Sequence, residues 1–159
     1  MKLQTGNPAP QVSGQAFWLG RPEGEIFAFN LKDFPGKRVV LAFYPGDFTP
    51  VCTVEMCDFG DNIGSLAKLN ALVVGISMDP VAKHGEFARK YNLNFPLIDD
   101  SDRKIGEAYG VTGNILMPTH KRALFIIDEK GNLAWKKVEL ASVFRTEAKE
   151  VARALEALG

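Results

Sequence analysis

Thiols and imidazoles are scarce in this 159-residue chain, which has two cysteines and two histidines. Two thiols are too few for a disulfide scaffold. Neither His84 nor His120 stands at ligand-like spacing, so no closed zinc site is expected, since that needs four ligands. Excess charge is lacking too: nineteen basic and nineteen acidic residues cancel, and nothing marks a nucleic acid or an anionic membrane as partner. No apolar run approaches membrane-spanning length. The opening "MKLQTGNPAPQVSGQ" has no apolar core of the kind a secretory signal carries, so the expected location is cytoplasmic. There is no glycine-rich phosphate loop, dinucleotide fingerprint or Ser-His-Asp arrangement, and no cofactor or metal is expected. No repeat, low-complexity tract or linker divides the chain, and residues 1–159 are expected to form one domain.

What is present is an alternation of apolar runs and helical patterns. "FWLGRPEGEIFAF" reads as a hairpin bent at Gly and Pro. Val39–Tyr44 and "ALVVGISMD" are continuous apolar runs of the kind that form buried strands. "PVCTVEMCDFGDNIGSLAKLN" reads as a helix with weak points at Gly60 and Gly64. "DPVAKHGEFARKYNL" reads as a helix with Asp79 as N-cap and Pro80 at its first position. "FPLIDD" is a short strand, and "SDRKIGEAYG" a short helix closed by Gly110. "RALFIIDEKGNLAWKKVEL" is two strands around Lys130-Gly131-Asn132. "RTEAKEVARALEAL" is an amphipathic helix with Val151, Leu155 and Leu158 on one stripe. The order implies a three-layer α/β domain with a mixed sheet, parallel in the middle and extended by antiparallel strands.

Both cysteines lie in "FYPGDFTPVCTVEMCDF". Thr49 suits an N-cap and Pro50 the first helical position, which puts Cys52 in the first turn. Unpaired backbone N–H groups and the helix dipole favour a thiolate there, the reactive form of cysteine. The alternative is a buried thiol serving as a small hydrophobe. Cys57 stands five residues on. Within one ideal helix that spacing means a rise of about 7.5 Å and a rotation of about 140°. The Cα atoms are then roughly 8–9 Å apart, beyond disulfide reach without backbone movement. A bond between the two thiols requires the helix to unwind, and Gly60 and Gly64 ease that by about 1 kcal/mol each relative to Ala. The spacing suits one cysteine that is oxidised first and a second that resolves it. It does not suit C-x-x-C exchange.

"PGDFTPVC" fits the P-x-x-x-T-x-x-C signature of the peroxiredoxins, and "CTVEMC" resembles their bacterioferritin-comigratory or PrxQ-like branch. "GNPAPQVS" is similar to the family's opening, and "RALFIID" to the segment carrying its active-site arginine. The resemblance covers nearly the whole chain and implies a thioredoxin-like fold with an N-terminal hairpin extension. It also implies a role for each matching residue. Cys52 matches the peroxidatic cysteine, Thr49 the hydroxyl that orients the peroxide, and Pro45 the residue shielding the thiolate. Arg122 matches the guanidinium that favours the thiolate and binds peroxide oxygen, Glu55 the acid that positions the arginine, and Cys57 the resolving cysteine. The implied substrates are hydrogen peroxide and organic hydroperoxides, and the implied reductant is thioredoxin or a similar dithiol. Branch membership favours a monomer, with a dimer as the alternative. The Gly-Gly-x-Gly segment and terminal Tyr-Phe of easily over-oxidised members are missing, which implies quick resolution. One hydroxyl cannot fully serve both helix cap and substrate, so Thr49 carries a conflict of duties.

The remaining polar residues are expected to be structural. His84 lies on a charge-rich helix and is expected in solvent. His120, two residues before Arg122, is either a base facing the same side or, by default, a surface histidine. Asp79, Asp99, Asp100 and Asp102 are expected in caps and turns rather than around a cation. Phe43, Tyr44 and Phe48 are expected in the core as a collar around the helix start. In the reduced protein Cys57 is expected to be more buried than Cys52. Two other readings use the same cysteine pair: a redox sensor or holdase, and a protein thiol–disulfide oxidoreductase.

Overall fold

The computed structural model describes residues 3–113, 118–139 and 145–159. Its strands are β1 (Ser13–Phe17), β2 (Ile26–Asn30), β3 (Arg38–Phe43), β4 (Ala71–Ser77), β5 (Leu97–Asp99), β6 (Ala123–Ile127) and β7 (Leu133–Val138). Its helices are α1 (Pro50–Asp61), α2 (Ile63–Ala67), α3 (Val81–Tyr91), α4 (Lys104–Ala108) and α5 (Ala148–Ala157). The strands form one sheet in the order β2-β1-β5-β4-β3-β6-β7. The β3–β4 and β4–β5 pairs are parallel, and the rest are antiparallel.

The continuous apolar runs are explained by burial of the sheet on both faces. All six residues of β3 are buried. Val40, Ala42 and Tyr44 point to one face, where they meet Cys52, Met56 and Phe59 of α1, Phe87 and Ala88 of α3, and Val151 and Leu155 of α5. Val39, Leu41 and Phe43 point to the other, against Phe29, Ile105 of α4, Tyr109 and Phe125. These are the three layers. At Gly75 in β4 a Cβ would come within 2.6 Å of Leu97 and 3.3 Å of the Tyr44 ring. Only glycine lets both pack so closely there.

Several expectations need correction. The hairpin strands sit further apart than the sequence pattern implied, with Phe17 opposite Ile26. Between them run eight residues that include two left-handed glycines, Gly20 and Gly24. The N-cap of α3 is Pro80, not Asp79. The Val81 N–H donates instead to Asp99, which leaves Asp79 to accept from the Asp47 N–H, Ser77 and Lys83. Leu158 is 40% exposed because α5 ends at Ala157. The expected single helix after Pro50 breaks at Asn62, between the two glycines, into α1 and α2. The first turn of α5 has a distant cap, in that the Ala148 N–H donates to Asp58 of α1 at 2.7 Å.

Both histidines are buried, contrary to expectation. His84, Phe87 and Ala88 share the inner stripe of α3, so the imidazole follows the apolar face inward. His120 packs edge-on against Phe43, on the sheet face away from Cys52, and its Nε2 lies 2.7 Å from Asp100. Asp100 also accepts the N–H groups of Ile105 and Gly106. A Cβ at Gly106 would lie 2.2 Å from His120 Cε1 and 2.7 Å from Thr112 Oγ1. Gly106→Ala is therefore expected to push the imidazole off Asp100. The overpacking should cost about 1–3 kcal/mol, read as a lower urea midpoint with an unchanged slope. An unchanged midpoint would show that the ring has room to move.

Candidate active site

Strand pairing brings the site together. Phe43 at the end of β3 pairs with Ala123 at the start of β6. Arg122 therefore lies beside the point where the chain leaves β3 for the loop 44–49 and α1. Pro45 is half-buried on that loop, and Gly46 and Asp47 are buried. Thr49 is the N-cap of α1 and has extended backbone, with Pro50 next. The conflict expected at Thr49 is absent, because among the described residues its side chain makes no cap bond. Its hydroxyl donates to the Gly46 carbonyl at 2.9 Å, which leaves its lone pairs for another donor.

Cys52 sits in the first turn of α1 and is fully buried. Arg122 Nη2 donates to its Sγ at 3.1 Å, and Arg122 Nη1 donates to Glu55 Oε1 at 2.9 Å. Cys52 and Glu55 are three residues apart, so the helix turns both to the same guanidinium. All three side chains are nearly inaccessible to solvent. Burial pushes the Glu55 carboxyl up from its ordinary 4.5 to about 7, against the pull of Arg122. Its Oε2 is buried and has no partner among the described residues. A protonated Glu55 leaves the charge of Arg122 to the sulfur, whereas an ionised one shares it.

Cys57 lies further along α1 and is only half-buried, so the expected order of burial is reversed. The reason is register. Cys52, Met56 and Phe59 form the inner stripe of α1, and Cys57 falls at its edge. Neither thiol is bonded. Desolvation, helped by Asp61, pushes the Cys57 thiol up, which keeps it protonated near neutral pH. Cys52, Glu55 and Arg122 are thus joined by direct contacts, Pro45 and Thr49 lie on the loop that leads into α1 beside them, and Cys57 makes no such contact among the described residues. His120 is absent from this cluster. Among the described residues no group of three or more His, Cys, Asp or Glu is placed to hold a metal ion.

Two residues escaped the sequence reading. Asp47 accepts the Tyr44 hydroxyl at 2.6 Å and faces His84 Nδ1 at 2.7 Å. The inward stripe of α3 was a usable signal for His84. For Asp47 no pattern in the sequence distinguished it from a turn residue. Phe48, expected in the core, is 38% exposed and has a left-handed φ of 66°, with its ring lying on Phe87 and Tyr91.

The raised Glu55 carboxyl has a consequence for stability. Its proton is held more tightly in the fold than in the unfolded chain, so stability falls as pH rises from about 4.5 to about 7. The loss amounts to up to about 3 kcal/mol. Glu55→Gln is expected to flatten that slope, measured by urea unfolding at pH 5 and pH 7.5. An unaltered slope would mean that Glu55 ionises as freely in the fold as outside it.

Residues 5–136 match the model of the AhpC/TSA family. The chain is 39% identical to "Peroxiredoxin Bcp" of Bacillus subtilis, covering 88% of this chain and 89% of that protein. It is also 39% identical to "Peroxiredoxin Bcp" of Escherichia coli, covering 82% and 83%. Among solved structures, Mycobacterium tuberculosis AhpC superposes with a TM-score of 0.86 at 26% identity, covering 99% of this chain and 94% of that one. The reduced 2-Cys peroxiredoxin of Plasmodium vivax superposes at 0.89 and 25% identity, covering 99% and 82%. With a thiol, a guanidinium and a carboxyl held together at the start of α1 in a fold of this kind, the chain belongs to the AhpC/TSA family and is a peroxiredoxin, a thiol peroxidase.

Proposed function

We propose that Cys52 is the peroxidatic nucleophile, Cys57 the resolving thiol, and the substrates hydrogen peroxide and small organic hydroperoxides. The observation that carries this reading is the 3.1 Å contact from Arg122 Nη2 to Cys52 Sγ, both side chains being buried. The guanidinium and the open N–H groups of the first turn of α1 stabilise the thiolate. The sulfur attacks the nearer peroxide oxygen. An S–O bond forms as the O–O bond breaks, and the oxygen that departs leaves as hydroxide or alkoxide, which takes up a proton to become water or alcohol. The thiol sulfur is oxidised by two electrons to sulfenic acid, and the peroxide is reduced by two. Arg122 faces the charge that develops on the two oxygens. Thr49, whose own proton is engaged by Gly46, accepts the O–H of the peroxide.

Cys57 then attacks the sulfenic sulfur as its thiolate. An S–S bond forms, the S–O bond breaks, and the departing hydroxide takes up the proton that Cys57 gave up, leaving as water. A dithiol donor such as thioredoxin reduces the disulfide by exchange. A protonated, half-buried Cys57 is no competitor for peroxide, and it lies at the edge of α1 from which unwinding can free it. The break at Asn62 gives that unwinding a natural limit.

Cys52→Ser is expected to abolish peroxide consumption, because a hydroxyl is not ionised near neutral pH. Cys57→Ser is expected to oxidise once, yield a sulfenic acid that dimedone traps, and then stall with thioredoxin. In the wild type, formation of the disulfide is expected to raise amide exchange from Cys52 to about Gly60. Equal protection in both redox states, with the disulfide shown to be present, would overturn the unwinding step. Turnover of Cys52→Ser would overturn the assignment of the nucleophile. Arg122→Ala is expected to move the pH profile of Cys52 alkylation by iodoacetamide to higher pH, and an unmoved profile would remove Arg122 from thiolate stabilisation. Consumption of many equivalents of peroxide per chain distinguishes an enzyme cycle from a sensor that stops after one.

A further inference from the structure

His84 is fully buried, and both of its ring nitrogens face oxygen acceptors. Nδ1 lies 2.7 Å from Asp47 Oδ2, and Nε2 lies 2.9 Å from the Ile98 carbonyl oxygen of β5. A neutral imidazole carries one N–H and would turn a lone pair toward one of these oxygens, so a ring with a proton on each nitrogen is the form that satisfies both. With its proton on the ring, Nδ1 donates to Asp47 Oδ2, while Oδ1 of the same carboxylate accepts the Tyr44 hydroxyl at 2.6 Å.

The other groups around this pair hold Asp47 from the opposite side. Asp79, just past the end of β4, accepts the Asp47 N–H at 2.7 Å and the Ser77 hydroxyl at 2.7 Å on the same oxygen, and Lys83 of α3 at 3.0 Å on the other. Asp47 is thus fixed by side chain and backbone at once. The next residue is Phe48, a non-glycine in the left-handed region, a conformation that persists only where its surroundings enforce it. Thr49 follows, and then the turn that bears Cys52.

We propose that His84, as an imidazolium paired with Asp47, is a positioning residue that fixes the backbone from Asp47 to Thr49 and so sets where the Thr49 hydroxyl meets the peroxide. The inference rests on the peroxidase reading above. His84 touches neither the thiol nor the substrate and acts through Asp47 and Phe48. Arg122 and the open first turn of α1 act on the thiolate independently of it.

The test has two arms. In the first, ¹⁵N NMR of the reduced wild type at pH 7, with the His84 signals assigned by their loss in His84→Gln, is expected to show two protonated ring nitrogens. A neutral ring would overturn the proposal. In the second, stopped-flow oxidation of Cys52 by hydrogen peroxide is compared with the pH profile of its alkylation by iodoacetamide. His84→Gln is expected to lower the peroxide rate constant by about tenfold, in line with the sensitivity of such geometry to small displacements. The alkylation profile should stay in place. An unchanged peroxide constant, or a matching loss in both readouts, would overturn it. If His84→Gln does not fold, Tyr44→Phe removes only the hydroxyl bonded to Asp47 and is read in the same way, with the same expected split. The NMR arm needs no turnover: a neutral His84 in a wild type that consumes peroxide would end this inference alone, whereas a wild type that failed to consume peroxide would end the peroxidase reading and the positioning role with it.

Discussion

A guanidinium enclosed in protein governs this site. Arg122 is 3% exposed, and a cation so far from water persists only if hydrogen-bonded anions replace its hydration. Glu55 and Cys52 accept its hydrogen bonds from one face of one helix. Their arrangement requires that α1 begin where β3 ends, that β6 run antiparallel to β3, and that the loop between β3 and α1 be rigid. Moving any of these takes Glu55 and Cys52 away from the buried guanidinium.

Glu55 gives this pairing its adjustable character. Two groups that can carry negative charge share one cation, and burial holds the carboxyl near neutrality. The arginine is therefore shared unequally, and the share depends on pH and on the state of the sulfur. A carboxyl with one buried oxygen that no described residue pairs is a poor choice for stability alone. That is the expected mark of a group kept for what it does to its neighbours.

Much of the architecture was legible in the sequence because it follows from burial and local chemistry. The apolar runs at residues 39–44 and 71–77 could be read as strands buried on both sides, since no surface helix tolerates such continuity. Cys52, Thr49 and Pro50 could be placed because capping preferences are local. Arg122 and Glu55 depended on family likeness, for nothing within the chain says that residues 55 and 122 meet. The misreadings share one cause. His84 reads as solvated because its helix is rich in charge, and His120 reads by default as a surface histidine, whereas each finds its partner across the fold: Asp47 for one, and Asp100 for the other. Cys57 was expected inside because helix register depends on which stripe the sheet selects, and here Met56 and Phe59 took that place. Asp79 looked like a cap until Asp99, from another strand, supplied the bond.

The carboxylate of Asp58 closes the first turn of α5 across ninety residues of sequence. Glu147, at the head of that helix, makes no side-chain cap bond among the described residues. The last helix is therefore incomplete as a local structure, and a peptide of its sequence would lack the acceptor that starts it. Such long-range closure ordinarily slows folding. In synthesis from the N-terminus, though, residue 58 is made first, and the terminal segment emerges into a chain that already contains the group its opening turn requires.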